Sequence, residues 1–149
     1  MRRTVQTFSL FLVALGLLSS PRLAHADVNP HQRLKKHVRD VVQRVKAAPT
    51  AAKKREVLDE ELRTMISALR RTENMADLSP GDQKAVDNLR GRLQAKLDEL
   101  HGKNGYEAVP AGQLDAFADY VQQDFERADT ITLSLTTALL IVILIVLLA

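Results

Sequence analysis

The last nineteen residues, 131–149 (ITLSLTTALLIVILIVLLA), constrain what this chain can fold into more than any other stretch. They carry no charge, no Pro and no Gly, and thirteen of the nineteen are Leu, Ile or Val. As a helix they would be about 28 Å long, close to the thickness of about 30 Å of a bilayer's hydrocarbon core. Because backbone amides cannot stay unpaired in lipid, the segment is predicted to be a transmembrane helix.

The first 26 residues form a second apolar segment of different design. A positive start precedes the apolar run FSLFLVALGLL, which is short for a membrane span. Ala24 and Ala26 then supply the small-x-small pattern that a signal peptidase recognises. We therefore predict a secretory signal peptide over 1–26 with cleavage before Asp27, and an uncleaved anchor is the alternative.

Composition narrows the possible functions once this segment is removed. The formal charge of +3 belongs to the signal peptide, because the loss of Arg2, Arg3 and Arg22 leaves 18 basic and 18 acidic residues. A neutral exported chain is not expected to bind nucleic acid. The absence of cysteine excludes disulfides, thiol catalysis and thiolate metal sites.

Residues 27–130, between the two apolar segments, are enough for one exported domain with one core. Apolar residues recur there at spacings of three and four, which predicts helices throughout. Caps and prolines place the first helix from Pro30, the next two over 51–74 and 80–101, and a fourth from about residue 110. We predict an all-α fold, a small antiparallel helical bundle of three to four helices followed by the transmembrane helix. A long coiled coil is the alternative.

The fourth helix carries the largest apolar face of the predicted bundle. Leu114, Phe117, Val121 and Phe125 lie on one side of it, as a core face or as a partner surface. All four aromatic residues of the mature chain, the two tyrosines included, are assigned to the core. No helix breaker separates this helix from the apolar tail, which leaves open a continuous helix into the membrane.

Charge is unevenly distributed between the first and the last helix of the domain. Residues 27–55 hold nine basic residues and residues 107–129 hold six acidic ones. The basic residues are Arg33, Lys35, Lys36, Arg39, Arg44, Lys46, Lys53, Lys54 and Arg55. Three explanations stay open: the charges solvate the bundle, the two helices complement each other, or the basic helix binds an external polyanion such as lipid head groups.

The acidic approach to the apolar tail also carries topological information. Because Lys and Arg collect on the cytoplasmic side of membranes, a flank with few bases fits the other side. The prediction is a single-pass protein of the cytoplasmic (inner) membrane, with its helical domain on the periplasmic side.

Candidate catalytic chemistry is sparse, and no catalytic, cofactor-binding or metal-binding residue is predicted. His31 and His37 point to different sides of a helix, and His101 is expected to favour a helix C-terminus. The acidic run 59–61 fans around a helix and is interpreted as a solvated face. No phosphate loop, H-E-x-x-H or G-x-S-x-G motif is present.

These observations predict a non-enzymatic interaction or scaffold module of the cell envelope, without cofactor or small-molecule substrate. Its expected partners are the membrane and either another envelope protein or a second copy of itself. The alternative is a surface protein whose tail is a removable sorting signal, replaced by a lipid near 128–130.

Overall fold

A computed structural model describes residues 29–127 and 133–149, and every regular element in these ranges is helical. The prediction of an all-α fold is confirmed. The α-helices of these described residues are α1 (Pro30–Ala47), α2 (Ala51–Met75), α3 (Pro80–His101), α4 (Leu114–Arg127) and α5 (Leu135–Leu148), with a short 3-10 turn (Ala111–Gln113) before α4. The predicted signal peptide and its cleavage site lie outside the described residues.

Local capping chemistry starts the first three helices where the sequence predicts. Asn29, Thr50 and Ser79 each accept a hydrogen bond from a backbone N–H of the first turn that follows. Pro30 and Pro80 occupy first helical positions, where the missing N–H has no intrahelical partner to lose.

The loop after α3 is fixed by backbone geometry and by one arginine. Gly102 ends the helix with φ 66°, and a Cβ at this position would lie 2.7 Å from the backbone nitrogen of Ala108. The Arg55 guanidinium donates hydrogen bonds to the carbonyl oxygens of Leu100 and Val109. The chain therefore returns tightly from the end of α3 toward the start of α4.

α1 to α4 form an antiparallel helical bundle rather than a long coiled coil. α2 contacts α1, α3 and α4, and α4 also lies along α1. Lys46 pairs with Asp119 at 2.7 Å, and Arg39 with Glu126 at 3.7 Å, which gives α1 and α4 opposite directions.

The apolar face of α4 lies in the hydrophobic core, where Leu114, Phe117, Val121 and Phe125 are all buried. The assignment of the tyrosines to the core is wrong, because Tyr106 and Tyr120 are each 46% exposed. The Tyr120 ring instead lies at the bundle surface, with the Lys96 Nζ 3.6 Å from its centroid.

The apolar tail differs from the sequence prediction. Its helix starts at Leu135 rather than Ile131, and the backbone of Ser134 is extended, with φ −60° and ψ 154°. α4 therefore does not continue as one helix into the tail. Within the described residues, none of the helices combines the length and the apolar character needed to cross a bilayer.

Candidate functional site

The fifth helix lies against the surface of α1 and α2. Ala138, Ile141, Leu144 and Ile145 are buried in the contact and belong to the same hydrophobic core as the bundle. The opposite face exposes large apolar side chains, namely Leu135, Leu139, Ile143, Val146 and Leu147. An apolar helix thus has one face on protein and one without a protein partner among the described residues, which is unusual for a surface helix.

A buried carboxylate of α3 binds the start of this helix. The Oδ1 of Asp82 accepts a 2.7 Å hydrogen bond from the N–H of Ser134, and its Oδ2 accepts one of 3.0 Å from the hydroxyl of Thr137. Asp82 and Thr137 are both buried. Asp82 is the third residue of α3, where its charge also favours the helix dipole, so one carboxylate serves two helix N-termini.

These bonds favour the charged form of Asp82. The backbone N–H of Ser134 contributes most to lowering the pKa of Asp82 below its usual value, against the opposing effect of burial, and the hydroxyls of Ser134, Thr137 and Ser79 lower it further. The carboxylate is therefore ionised at neutral pH and acts only as an acceptor.

A second polar contact joins the same point to α1. The Nε2 of His31 lies 3.0 Å from the carbonyl oxygen of Leu133, which accepts when Nε2 carries the proton. The Nδ1 of His31 lies 2.9 Å from the side-chain oxygen of Asn29. Residues 133 and 134 are thus held from two sides, by the starts of α1 and α3.

Ser134 also caps α5 itself. Its Oγ accepts a hydrogen bond of 3.2 Å from the N–H of Thr137. The cap and the contacts of Asp82 and His31 fix the N-terminus of α5 at Leu135. We call Asp82, His31, Ser134 and Thr137 the latch. The latch limits α5 to fourteen residues, about 21 Å of helix.

Most of the nine basic residues between positions 33 and 55 make ion pairs or hydrogen bonds with other described residues. Six of them pair with carboxylates, and Arg55 binds the carbonyl oxygens of Leu100 and Val109. Arg39, Lys46 and Lys54 reach the acidic α4, and Lys36, Arg44 and Lys53 pair within α1 and α2. Arg33 and Lys35 have no ion pair with any described residue. The pairs of Arg39, Lys46 and Lys54 with α4 match the explanation in which the two helices complement each other, and polyanion binding stays a prediction.

The assignment of Glu61 to a solvated face is wrong, because this residue is only 5% exposed. Its carboxylate pairs with the Nε2 of His37 at 3.2 Å and with the guanidinium of Arg44. Burial acts to raise the pKa of Glu61, but the hydrogen bonds from His37 and Arg44 outweigh it and lower the pKa. The ionised Glu61 carboxylate therefore connects α2 to α1 through these side-chain contacts.

His101, at the end of α3, also makes an interhelical contact. His101 Nε2 lies 2.5 Å from Asp59 Oδ1 in α2, so this residue joins α3 to α2 in addition to lying at the end of its own helix.

Within the described ranges, no three His, Cys, Asp or Glu side chains are grouped to hold a metal ion. A small surface pocket between α3 and α4, lined by Leu93 and Phe125 among others, has a volume of about 10 Å³, which is too small for a ligand.

Sequence reasoning missed the latch. Ser134 and Thr137 appear in the sequence as scattered hydroxyls in an apolar run, and Asp82 as a first-turn acid of its own helix. Asp82 and Ser134 are 52 residues apart, and no periodicity links them. A Ser that shortly precedes an apolar run is an N-cap pattern, and this pattern at Ser134 is the signal that the sequence offers.

No protein-family model matches this chain, and no curated protein or solved structure matches it either. The functional proposal therefore depends on the chain's own residues.

Proposed function

We propose that this protein is an exported helical module, anchored to a membrane by its C-terminal segment 131–149 and acting as an interaction or scaffold protein of the cell envelope. The exposed apolar face of α5 is the observation that carries the proposal. Five large aliphatic side chains in contact with water are costly, at about 0.8 kcal/mol per CH₂ group, and lipid removes that cost.

The length of the segment supports a span. α5 measures about 21 Å, and its extension back to Ile131 gives nineteen residues and about 28 Å. The four added residues contain no charge, Pro or Gly. An inserted tail would therefore be one helix of adequate length with its backbone groups paired.

The predicted signal peptide indicates on which side of the membrane the bundle lies. Export through a cleaved signal places residues 27–130 outside the cytoplasm, and the base-poor flank before the tail fits that side. The bundle then stands at the outer face of the inner membrane. There it presents charged helical surfaces to another envelope protein or to a second copy.

Alkaline carbonate extraction tests the anchor. The full chain is expected to stay in the membrane pellet, and a variant ending at Thr130 is expected to be released. Release of the full chain would contradict the proposal.

The intact mass of the purified protein tests both processing steps. A cleaved signal peptide predicts a mature chain that starts at Asp27, and a retained tail predicts one that still contains residues 131–149. Loss of the residues after about 128, with an added lipid mass, would instead support the removable sorting signal.

Crosslinking in native membranes, followed by identification of the attached protein, tests the scaffold role. Capture of a defined envelope protein or of a second copy is expected. A chain that remains monomeric and uncrosslinked at the membrane would contradict an interaction role.

A further inference from the structure

We propose that the bilayer and the α1–α2 surface compete for the same helix, α5, and that the latch sets the balance between a docked and an inserted tail. This inference rests on the proposed function, since it requires that the tail can insert. When Asp82 holds Ser134 and Thr137, the tail is short and lies on the bundle. When these bonds open, the tail lengthens and enters the bilayer.

The two forms exclude each other because they use the same side chains. Ile141, Leu144 and Ile145 are buried against the bundle, and a membrane-spanning helix would present them to lipid. The exposed face, by contrast, gains contact with lipid only on insertion. On insertion, the buried face of α5 therefore exchanges its contact with the bundle for a contact with lipid, and the exposed face gains a contact with lipid. Only the docked form has the polar contacts of the latch.

The latch also controls helix length. In the docked form, the Ser134 N–H donates its hydrogen bond to Asp82. In an α-helix that begins at Ile131, the same N–H would instead donate to the backbone carbonyl oxygen four residues earlier. With Ser134 as the N-cap, the helix begins at the next residue, Leu135, and does not extend toward Ile131. A docked tail is thus held about 7 Å shorter than the nineteen-residue span, and opening the latch is a condition for reaching full length.

Release leaves no buried charge behind. Asp82 remains in the first turn of α3, whose dipole favours a carboxylate, and the departure of α5 opens it to water. Since water replaces the lost donors, the latch resists opening by a limited amount. The loss of one hydrogen bond is therefore enough to change the ratio of docked to inserted protein.

Two neighbouring threonines give a matched test. Thr137 donates its hydroxyl to Asp82 and is buried, whereas Thr136 is exposed. Thr137→Val and Thr136→Val make the same chemical change in the tail. Because position 136 is exposed in the docked form and position 137 is buried, hydrophobicity alone would favour insertion of Thr136→Val over Thr137→Val. Only Thr137→Val removes a latch bond.

The measurement is partition of the mature chain onto vesicles of phosphatidylethanolamine and phosphatidylglycerol. Thr137→Val is expected to raise the ratio of inserted to free protein about tenfold above Thr136→Val, as the loss of a hydrogen bond to a charged group implies. Equal partition of the two variants would overturn the inference.

Single cysteines identify the state of the tail, because the chain has no other cysteine. Ala138 is 0% and Val146 is 70% exposed in the docked form. With a membrane-impermeant maleimide, docked protein is expected to react at Val146→Cys and not at Ala138→Cys. Inserted protein is expected to react at neither, and an undocked tail in water at both.

The outcomes separate the two proposals. If the wild-type chain and both valine variants stay off vesicles and remain extractable by carbonate, the proposed anchor fails and the inference with it. If the wild type inserts but Ala138→Cys reacts freely before vesicles are added, there is no docked form, and only the inference fails.

Discussion

The carboxylate of Asp82, in α3, accepts a 2.7 Å hydrogen bond from the backbone N–H of Ser134, at the start of α5. The two residues are 52 positions apart. This contact joins the bundle to the tail and decides where the apolar helix begins. We therefore expect the position of the tail to depend on the charge of Asp82.

Acid is expected to weaken the docking of α5. Because the pKa of Asp82 is lowered in the folded protein, its stabilising contribution is present above the ordinary value of about 3.9 and is lost as the pH falls below that. Urea unfolding at pH 6 and pH 3 should show a smaller loss of stability for Asp82→Asn than for wild type. Asp77→Asn, at an exposed position outside the latch, is the control and should behave as wild type.

Removal of the Glu61 carboxylate is expected to destabilise the α1–α2 pair. Glu61→Ala should lower the free energy of unfolding by about 1–3 kcal/mol, since His37 and Arg44 lose a buried acceptor. Urea unfolding measures the effect. Glu60→Ala, at the exposed neighbouring position, should change it by less than about 0.5 kcal/mol, and equal effects would contradict the account.

The α4 face is expected to hold the bundle together. Phe117→Ala removes a buried ring and should cost about 3–5 kcal/mol, much of a small domain's stability. Thermal unfolding followed by circular dichroism should show a large fall in Tm or loss of cooperativity. Tyr106→Ala, at an exposed ring, should leave Tm nearly unchanged. A shift of only a few degrees for Phe117→Ala would mean that the face binds a partner instead.

The ion pairs between α1 and α4 are expected to set register more than stability. Lys46 and Asp119 are each about two-fifths exposed, so water and salt screen their attraction. A double-mutant cycle with Lys46→Ala and Asp119→Ala should give a coupling free energy below about 1 kcal/mol that declines with added salt. A larger, salt-independent coupling would contradict a solvent-screened contact.

Helices α1 to α3 were predictable from the sequence because their starts depend on local chemistry. Asn29 with Pro30, and Ser79 with Pro80, cap and begin a helix whatever lies around them. The apolar spacing of α4 likewise identified Phe117 and Phe125 as inward-facing, since polar residues occupy the other sides of that helix.

The tail was less predictable because it is apolar on every side. A helix with no polar face has no preferred orientation, so the surface that it meets decides which residues are buried. Glu61 shows the same dependence on tertiary context. It differs from Glu60 only in the face that it presents to α1, and that face is set by the packing of α1 on α2.

Protease protection in spheroplasts of producing cells tests the central claim, an exported bundle held by a C-terminal span, most directly. Protease added outside should degrade the bundle and leave a protected C-terminal fragment that begins near residue 131, identified by its mass. A bundle that survives until the membrane is permeabilised would contradict the proposed topology. Loss of the C-terminal fragment together with the bundle would contradict the span.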